Sequence, residues 1–485
     1  MGTLPAYLKS GEIARLIPVI ADTRREQRAA SVFLSILSAV PDYAERLLGS
    51  LGLRIGKRTT INSFTEVVFG NRSSDQNDRP DGLLIVDRGH SSWSALIEAK
   101  IGNAQIDQAQ VERYLNLART NAVDAVITIS NQFVTRPDHS PIAVSKAIRK
   151  KAALYHWSWK FLLTEAILLQ SKAAIRDPDQ AFLLREFIRF LSHGSIGVSG
   201  FTQMPAAWRN IGTQLQSGAS LSRNSKDVIE VVNGWHQEIR DLTLRMSHHL
   251  SVDVDIKLSR THAADAAQRL KDDCESLADK NLLHAVLQVP DAAADIGIFA
   301  DLKTRTIRVG MEIDAPQERK RTPARINWLL RQLKETQPDN LFVRIIWPSR
   351  AKDTVCSLSD LREERPDFSA DSSQAPRAFE VFHLTTDARR FSGRRTFIEE
   401  LESAVPNFYR SVGQYLQAWR PKPPKPPEKA DSQPDADAED PESNKKGPES
   451  NKQKPDPAAQ AADPQPLAGN RHTALLDIPP FLVRT

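Results

Sequence analysis

The sequence predicts an α/β protein: a mixed sheet flanked by helices near the N-terminus, a second α/β domain behind it, and a disordered C-terminal tail. Three observations carry that expectation. Short apolar runs alternate with longer amphipathic stretches between residues 23 and 170, the pattern of a sheet layered with helices. Similar runs return between residues 226 and 420, and a chain of 485 residues exceeds what one core usually organises. From Pro421 to Pro466, twelve of the thirty prolines stand among Ala, Asp, Glu, Lys and Ser. Such a stretch has too little apolar bulk to offset its ordering entropy. The expected divisions are 1–170, a helical and Gly/Ser-rich linker 171–225, 226–420, the tail 421–470 and a short apolar peptide 471–485.

Composition narrows the function classes. A net charge of +5 is compatible with a polyanionic partner without requiring one. The two cysteines, Cys274 and Cys356, encode neither a disulfide framework nor a cysteine zinc site. The N-terminus lacks a basic segment leading into an apolar one, and no apolar run is long enough to span a bilayer. A cytoplasmic protein without membrane partners is the expectation.

Taken in order, residues 1–20 read as a lead-in. Thr23 to Ala39 has helical spacing, with Val32, Phe33, Ile36 and Leu37 on one face and Asp22 or Thr23 placed to cap it. Glu26 falls in its first turn, where the helix dipole favours a carboxylate. A second helix follows Pro41 and runs to about Leu51. Thr60 to Phe69 reads as a strand in which Glu66 is the isolated acid, either on the polar face or joined to an acidic site. Asn71 to Arg79 is polar and turn-like, a loop by which substrate could approach.

The stretch from Pro80 to Tyr114 carries the chemistry. Pro80-Asp81-Gly82 leads into Leu83–Val86, a turn follows at Gly89-His90, and Ala95-Leu96-Ile97 ends in Glu98-Ala99-Lys100. Two apolar runs around a glycine turn predict a β-hairpin. Side chains alternate along a strand, so Glu98 and Lys100 share a face, and Asp81 at the start of the partner strand can meet them. Gln105 to Thr120 predicts a helix with Gln110 and Tyr114 on one face. Two carboxylates and a lysine thus converge at one end of a small sheet. Phosphodiester hydrolysis needs charge stabilisation at the phosphoryl oxygens and an oriented water. Mg²⁺, or Mn²⁺ in its place, prefers oxygen ligands. Asp81 and Glu98 would supply carboxylates, the Ala99 carbonyl a third oxygen, and Lys100 would orient or deprotonate the water. The bland alternative is a solvated hairpin with an ion pair of little value.

Asp81 followed by Glu98-Ala99-Lys100 resembles the signature of the PD-(D/E)XK nuclease superfamily. Gln110-Val111-Glu112-Arg113-Tyr114 resembles the QxxxY element of its RecB-like branch. The resemblance covers roughly residues 20–170. It implies a restriction-endonuclease-like mixed sheet flanked by helices and a divalent-metal phosphodiesterase. It also adds Glu26 to the candidates, since families with this signature often place a first-helix glutamate near the metal.

Beyond the helix, Ala122 to Ser130 and Leu154 to Ser158 read as strands and Phe161 to Gln170 as a helix. The basic run Lys146 to Lys151 is a solvated helix face or a phosphate contact. His156, Trp157 and Trp159 are expected at the sheet edge, where they pack or, if exposed, stack bases. Gly194 to Gly200 lacks the lysine and spacing of a phosphate-binding loop and reads as a turn or linker. In the second half, a helix (Asp227–His249) precedes strands at Val252–Leu258, Ala294–Phe299, Thr306–Ile313 and Leu341–Trp347. Helices are expected at Ala324–Lys334 and over most of Phe397–Trp419. Asp295 precedes Glu312 by 17 residues, the separation of Asp81 from Glu98, with Asp314 where the first half has Lys100. Either the second domain is a degenerate copy lacking the lysine, or hairpin length alone repeats the number.

The tail carries seven lysines against ten acids between 421 and 466, and it ends in the apolar Ile478–Val483. It is expected to moderate DNA binding or recruit a protein partner. The functional expectation is a metal-dependent nuclease acting on DNA. The alternative is a catalytically silent nuclease-fold protein that binds nucleic acid or a protein partner, for example in stress response or phage defence.

Overall fold

Six strands in sequence order make the first sheet: β1 (Leu8–Ile13), β2 (Thr60–Phe69), β3 (Gly82–Asp87), β4 (Ser92–Ala99), β5 (Ala125–Ser130) and β6 (Ala153–Ser158). The computed structural model describes residues 4–18, 24–56, 58–70, 79–149, 152–337, 339–349, 351–363 and 374–420. Expectations for Asp22, Thr23, residues 71–78, Lys150, Lys151 and everything from 421 onward lie outside those residues. Strands β1 to β4 run antiparallel, whereas β4, β5 and β6 are parallel neighbours. The switch follows from connection length. Gly89, with φ of +85°, closes the tight turn between β3 and β4. The helix Gln108–Thr120 carries the chain back over the sheet before β5.

Helices cover both faces of this sheet. Arg25–Ala39 presents Ala29, Val32, Phe33, Ile36 and Leu37 to one face and is itself covered by Pro41–Gly49 and Pro178–Ser192. That double cover explains why most of its surface is buried. Phe33 meets Trp157 and Trp159 edge-on, with centroids 6.1 and 6.2 Å away, and lies over Phe187. On the opposite face Val111, Tyr114, Leu115 and Ala118 of Gln108–Thr120 pack against Leu83, Leu96 and Val126. Strand β5 is buried throughout, as expected of a parallel strand sandwiched on both sides.

The sequence expectations differ from the structure at several places. The lead-in contains β1, whose sequence Leu-Lys-Ser-Gly-Glu-Ile has little apolar periodicity and is ordered by pairing with β2. By contrast, His156, Trp157 and Trp159 pack at the sheet edge as expected, on and directly after the edge strand β6, and at no more than 1 % exposure they offer no face on which a base could stack. The stretch 171–225 is helical as expected, from Ala181 to Leu191 in particular, but its helices belong to the cores: Pro178–Ser192 buries Leu184, Phe187 and Leu191 in the first, and Ala207–Gln216 buries Trp208 and Ile211 in the second.

The second sheet has seven strands: β7 (Asp255–Ile256), β8 (Leu282–Gln288), β9 (Ile296–Asp301), β10 (Thr306–Asp314), β11 (Leu341–Ile346), β12 (Thr354–Ser357) and β13 (Ala378–Thr385). Their order is β12-β11-β13-β10-β9-β8-β7 and every pairing is antiparallel. The helices Lys226–Leu250, Ala266–Lys280 and Arg394–Ser411 share one core with its inner face. Strand β7 is far shorter than the Val252–Leu258 run suggested, and β8, β12 and β13 have no counterpart among the expected strands. Polar contacts join the two halves, including Lys172 Nζ to Asp253 Oδ2 at 3.1 Å and Arg269 Nη1 to Thr135 Oγ1 at 2.7 Å. No helix among the described residues is long and apolar enough to cross a membrane.

Candidate active site

The site is built at the end of the first sheet where β4 leaves its hairpin and meets parallel β5. Gly82 pairs with Ile97 across β3 and β4, so the preceding residue, Asp81, faces Glu98. The Asp81 carboxylate accepts a hydrogen bond from the Ala99 backbone N–H through Oδ2 at 2.8 Å, which leaves Oδ1 for another ligand. Lys100 Nζ lies 2.5 Å from Glu98 Oε1. The lysine backbone is held on both sides, its N–H donating to Ile129 O at 2.7 Å and its carbonyl accepting from Trp159 Nε1 at 2.8 Å. Glu26 arrives from the first turn of its helix and accepts from the Ile101 N–H at 3.2 Å.

Gly82 is what lets that helix approach. A Cβ there would stand 2.5 Å from Leu34 Cδ1 and 3.2 Å from Phe64 O. The glycine after Asp81 therefore answers a packing demand made by a helix more than forty residues upstream.

Burial sets the electrostatics. Asp81 is pushed up to about 8, first by desolvation, then by the Glu98 charge, against the pull of the Ala99 N–H and Lys100. Glu98, only 2 % exposed, is also raised by desolvation, with Lys100 and Tyr114 opposing the rise. For Lys100 burial works against the charge, but the hydrogen bond and charge of Glu98, joined by Asp81 and Glu26, hold its pKa above the usual lysine range. The lysine is thus an ammonium at neutral pH, suited to neutralising charge and orienting a water rather than to taking a proton.

Gln110 and Tyr114 support the site from the sheet face that Glu98 shares with Leu96, with Tyr114 beside the Glu98 carboxylate. Gln110 Nε2 donates to the Tyr114 hydroxyl at 3.1 Å, and that hydroxyl donates to Arg79 O at 3.0 Å. The pair clamps the backbone just before Pro80-Asp81. Glu66 is placed differently. Its φ is +53°, at a point where the pairing of β1 with β2 shifts register. Its carboxylate lies 3.7 Å from Arg79 Nη1, turned to that arginine rather than to Asp81 and Glu98. Its backbone N–H still donates to Asp81 O at 3.3 Å, so Glu66 shapes the strand end through the main chain.

The donor set suits a hard divalent ion. Two desolvated carboxylates face each other, with one ammonium to share between them. Asp81, Glu98 and Glu26 do not converge to within 4.8 Å of one another. The acids that do so, among the described residues, are Glu238, Asp241 and Glu402.

Sequence reasoning missed Asn131. Its Nδ2 donates to Gly102 O at 3.0 Å and Gly197 O at 2.8 Å, and its Oδ1 accepts from the Ser199 N–H at 3.3 Å. Gly197, at φ of +83°, packs its Cα side against Ile101. The Gly/Ser-rich run is therefore fastened to the backbone directly after Lys100. An asparagine after an apolar strand carries no local signal of this, because its three partners come from segments up to 68 residues away.

The second hairpin repeats the spacing without the environment. Ile296 pairs with Met311, so Asp295 and Glu312 oppose each other as Asp81 and Glu98 do, and both line an acidic cleft with Asp253, Asp255 and Asp291. There the acids are neutralised from outside, Asp295 by Lys257 at 2.5 Å and Glu312 by Arg344 and Arg377 at 3.8 and 3.7 Å. Strand β13 also lies between β10 and β11, where the first sheet has β4 and β5 as direct neighbours. No protein-family model, curated protein or solved structure matches the chain.

Proposed function

We propose that this chain is a metal-dependent nuclease of the PD-(D/E)XK kind that hydrolyses phosphodiester bonds in DNA. The observation that carries the reading is the meeting of Asp81, Glu98 and Lys100 at one strand end, with both carboxyls desolvated and the ammonium 2.5 Å from Glu98. The end of β4 beside parallel β5 is also where open α/β sheets place their ligands. Asp81 Oδ1, Glu98 and the Ala99 carbonyl would hold Mg²⁺ or Mn²⁺, with Glu26 behind them. When bound, the ion supplies charge stabilisation at the phosphoryl oxygens. Lys100 neutralises developing charge and orients the attacking water. Gln110 and Tyr114 keep Asp81 in register by holding Arg79 O. The second hairpin carries Asp314 where the first has Lys100, sits in a sheet of different topology, and on this proposal takes no part in the chemistry.

Cleavage of plasmid and linear DNA in Mg²⁺, Mn²⁺ and EDTA tests the proposal. Lys100→Ala should lower the rate by about 10²–10³-fold, the scale of losing one charge-stabilising group, while its melting transition stays cooperative. Cleavage that persists in EDTA, or an undiminished Lys100→Ala rate, would overturn it.

A further inference from the structure

A second group of acids lies buried where the helices Lys226–Leu250 and Arg394–Ser411 meet, apart from the site above. Glu238 and Asp241 are three apart on one helix and share a face. Glu402 comes from the other helix, and one oxygen from each lies within 4.8 Å of the rest. Glu238 and Asp241 are 0 % exposed.

The donors present account for only part of the group. Asp241 Oδ2 accepts from the Phe201 N–H at 2.9 Å and from Arg245 Nε and Nη2 at 3.3 Å, and Arg245 Nη2 reaches Glu402 Oε1 at 2.7 Å. Lys160 lies near Asp241, Glu402 and Arg245 in the same interior. Asp241 Oδ1 and both oxygens of Glu238 have no hydrogen-bond partner. A fully buried carboxylate without a donor costs several kcal/mol, so an occupant is missing from the account. Oxygens across one ion stand at most about 4.8 Å apart, twice a calcium–oxygen bond of ~2.4 Å.

We infer that Glu238, Asp241 and Glu402 form a structural site for a divalent cation with oxygen ligands, of the Mg²⁺, Mn²⁺ or Ca²⁺ class, bracing the two helices. Asp241 also anchors Phe201, which follows the run fastened to the loop after Lys100. The brace therefore reaches the backbone behind the first site. The rival occupant is a proton: burial, with Asp241 and Glu402 nearby, raises the Glu238 carboxyl well above its ordinary value.

The test uses the full chain carrying Asp81→Asn, which silences the first site. Calorimetric titration with Mn²⁺ alone should show about one equivalent bound, and Mn²⁺ should raise the melting temperature. Adding Glu238→Gln should weaken that binding at least tenfold and remove the thermal shift. Glu238 has no other hydrogen-bond partner to lose, so this variant should remain folded. Terbium luminescence excited through Trp235, one helical turn away, gives a second readout that the same substitution should extinguish. Absence of cation binding in the Asp81→Asn protein would overturn the inference. So would unchanged binding after Glu238→Gln, or a Glu238→Gln protein more stable than its parent and indifferent to Mn²⁺, which would assign the place to a proton.

Discussion

Asp81→Asn should change how the stability of this protein depends on pH. A carboxyl raised from 3.8 to about 8 stays protonated in the folded state across a range in which the unfolded chain has ionised it. The folded state therefore binds more protons, and stability falls as pH rises. The contribution is complete below about pH 4, declines with a slope approaching 1.36 kcal/mol per pH unit, and is lost above about pH 8. Integrated over the full shift this is about 6 kcal/mol, an upper bound, because Glu98 shares the same proton balance. A fall on the order of 2–4 kcal/mol between pH 5 and pH 8 is expected for wild type in EDTA. Asn has no proton to lose, so the variant should show a much flatter profile. A divalent ion at pH 8 should restore the wild-type loss by binding the ionised pair and releasing protons, and should do little for Asp81→Asn. Urea unfolding at a series of pH values, with and without Mg²⁺, measures all of this. Parallel wild-type and Asp81→Asn profiles would refute the reasoning, since the pH dependence would then arise elsewhere.

Lys100→Met should lose DNA cleavage, and in EDTA it should be destabilised by about 1–3 kcal/mol at pH 8, because Glu98 would remain buried without its cation; the loss should shrink at pH 5, where Glu98 can take a proton. Gly82→Ala places a methyl 2.5 Å from Leu34 Cδ1 and should cost about 1–3 kcal/mol by urea unfolding, with Leu34→Ala in the same chain recovering part of the Gly82→Ala strain. Tyr114→Phe removes the donor to Arg79 O and should cost about 1–2 kcal/mol, with a larger effect on cleavage rate than on DNA affinity. Glu312→Ala should leave cleavage within about twofold of wild type, and a loss as large as that of Glu98→Ala would place the second hairpin in the catalytic machinery.

The local pattern determined much of this protein. Apolar alternation located β2, β3, β4 and β5 to within a few residues, and the hairpin register followed from the period of two along a strand. That period alone put Asp81, Glu98 and Lys100 together. The polar helix carrying Gln110 and Tyr114 was legible for the same reason, its two site residues lying one turn apart. Tertiary structure decided the rest, because the deciding partners are distant in the chain. Strand β1 exists only against β2, and β13 enters between β10 and β11 from far downstream. Gly82 answers to Leu34, and Glu66 turns to Arg79 at a register shift that no composition announces. The ionisation of Asp81 and Lys100 depends on how deeply two layers of helix bury them. Glu238, Asp241 and Glu402 come together because two helices more than 140 residues apart in sequence cross at one point, and a one-dimensional pattern carries no term for such a crossing.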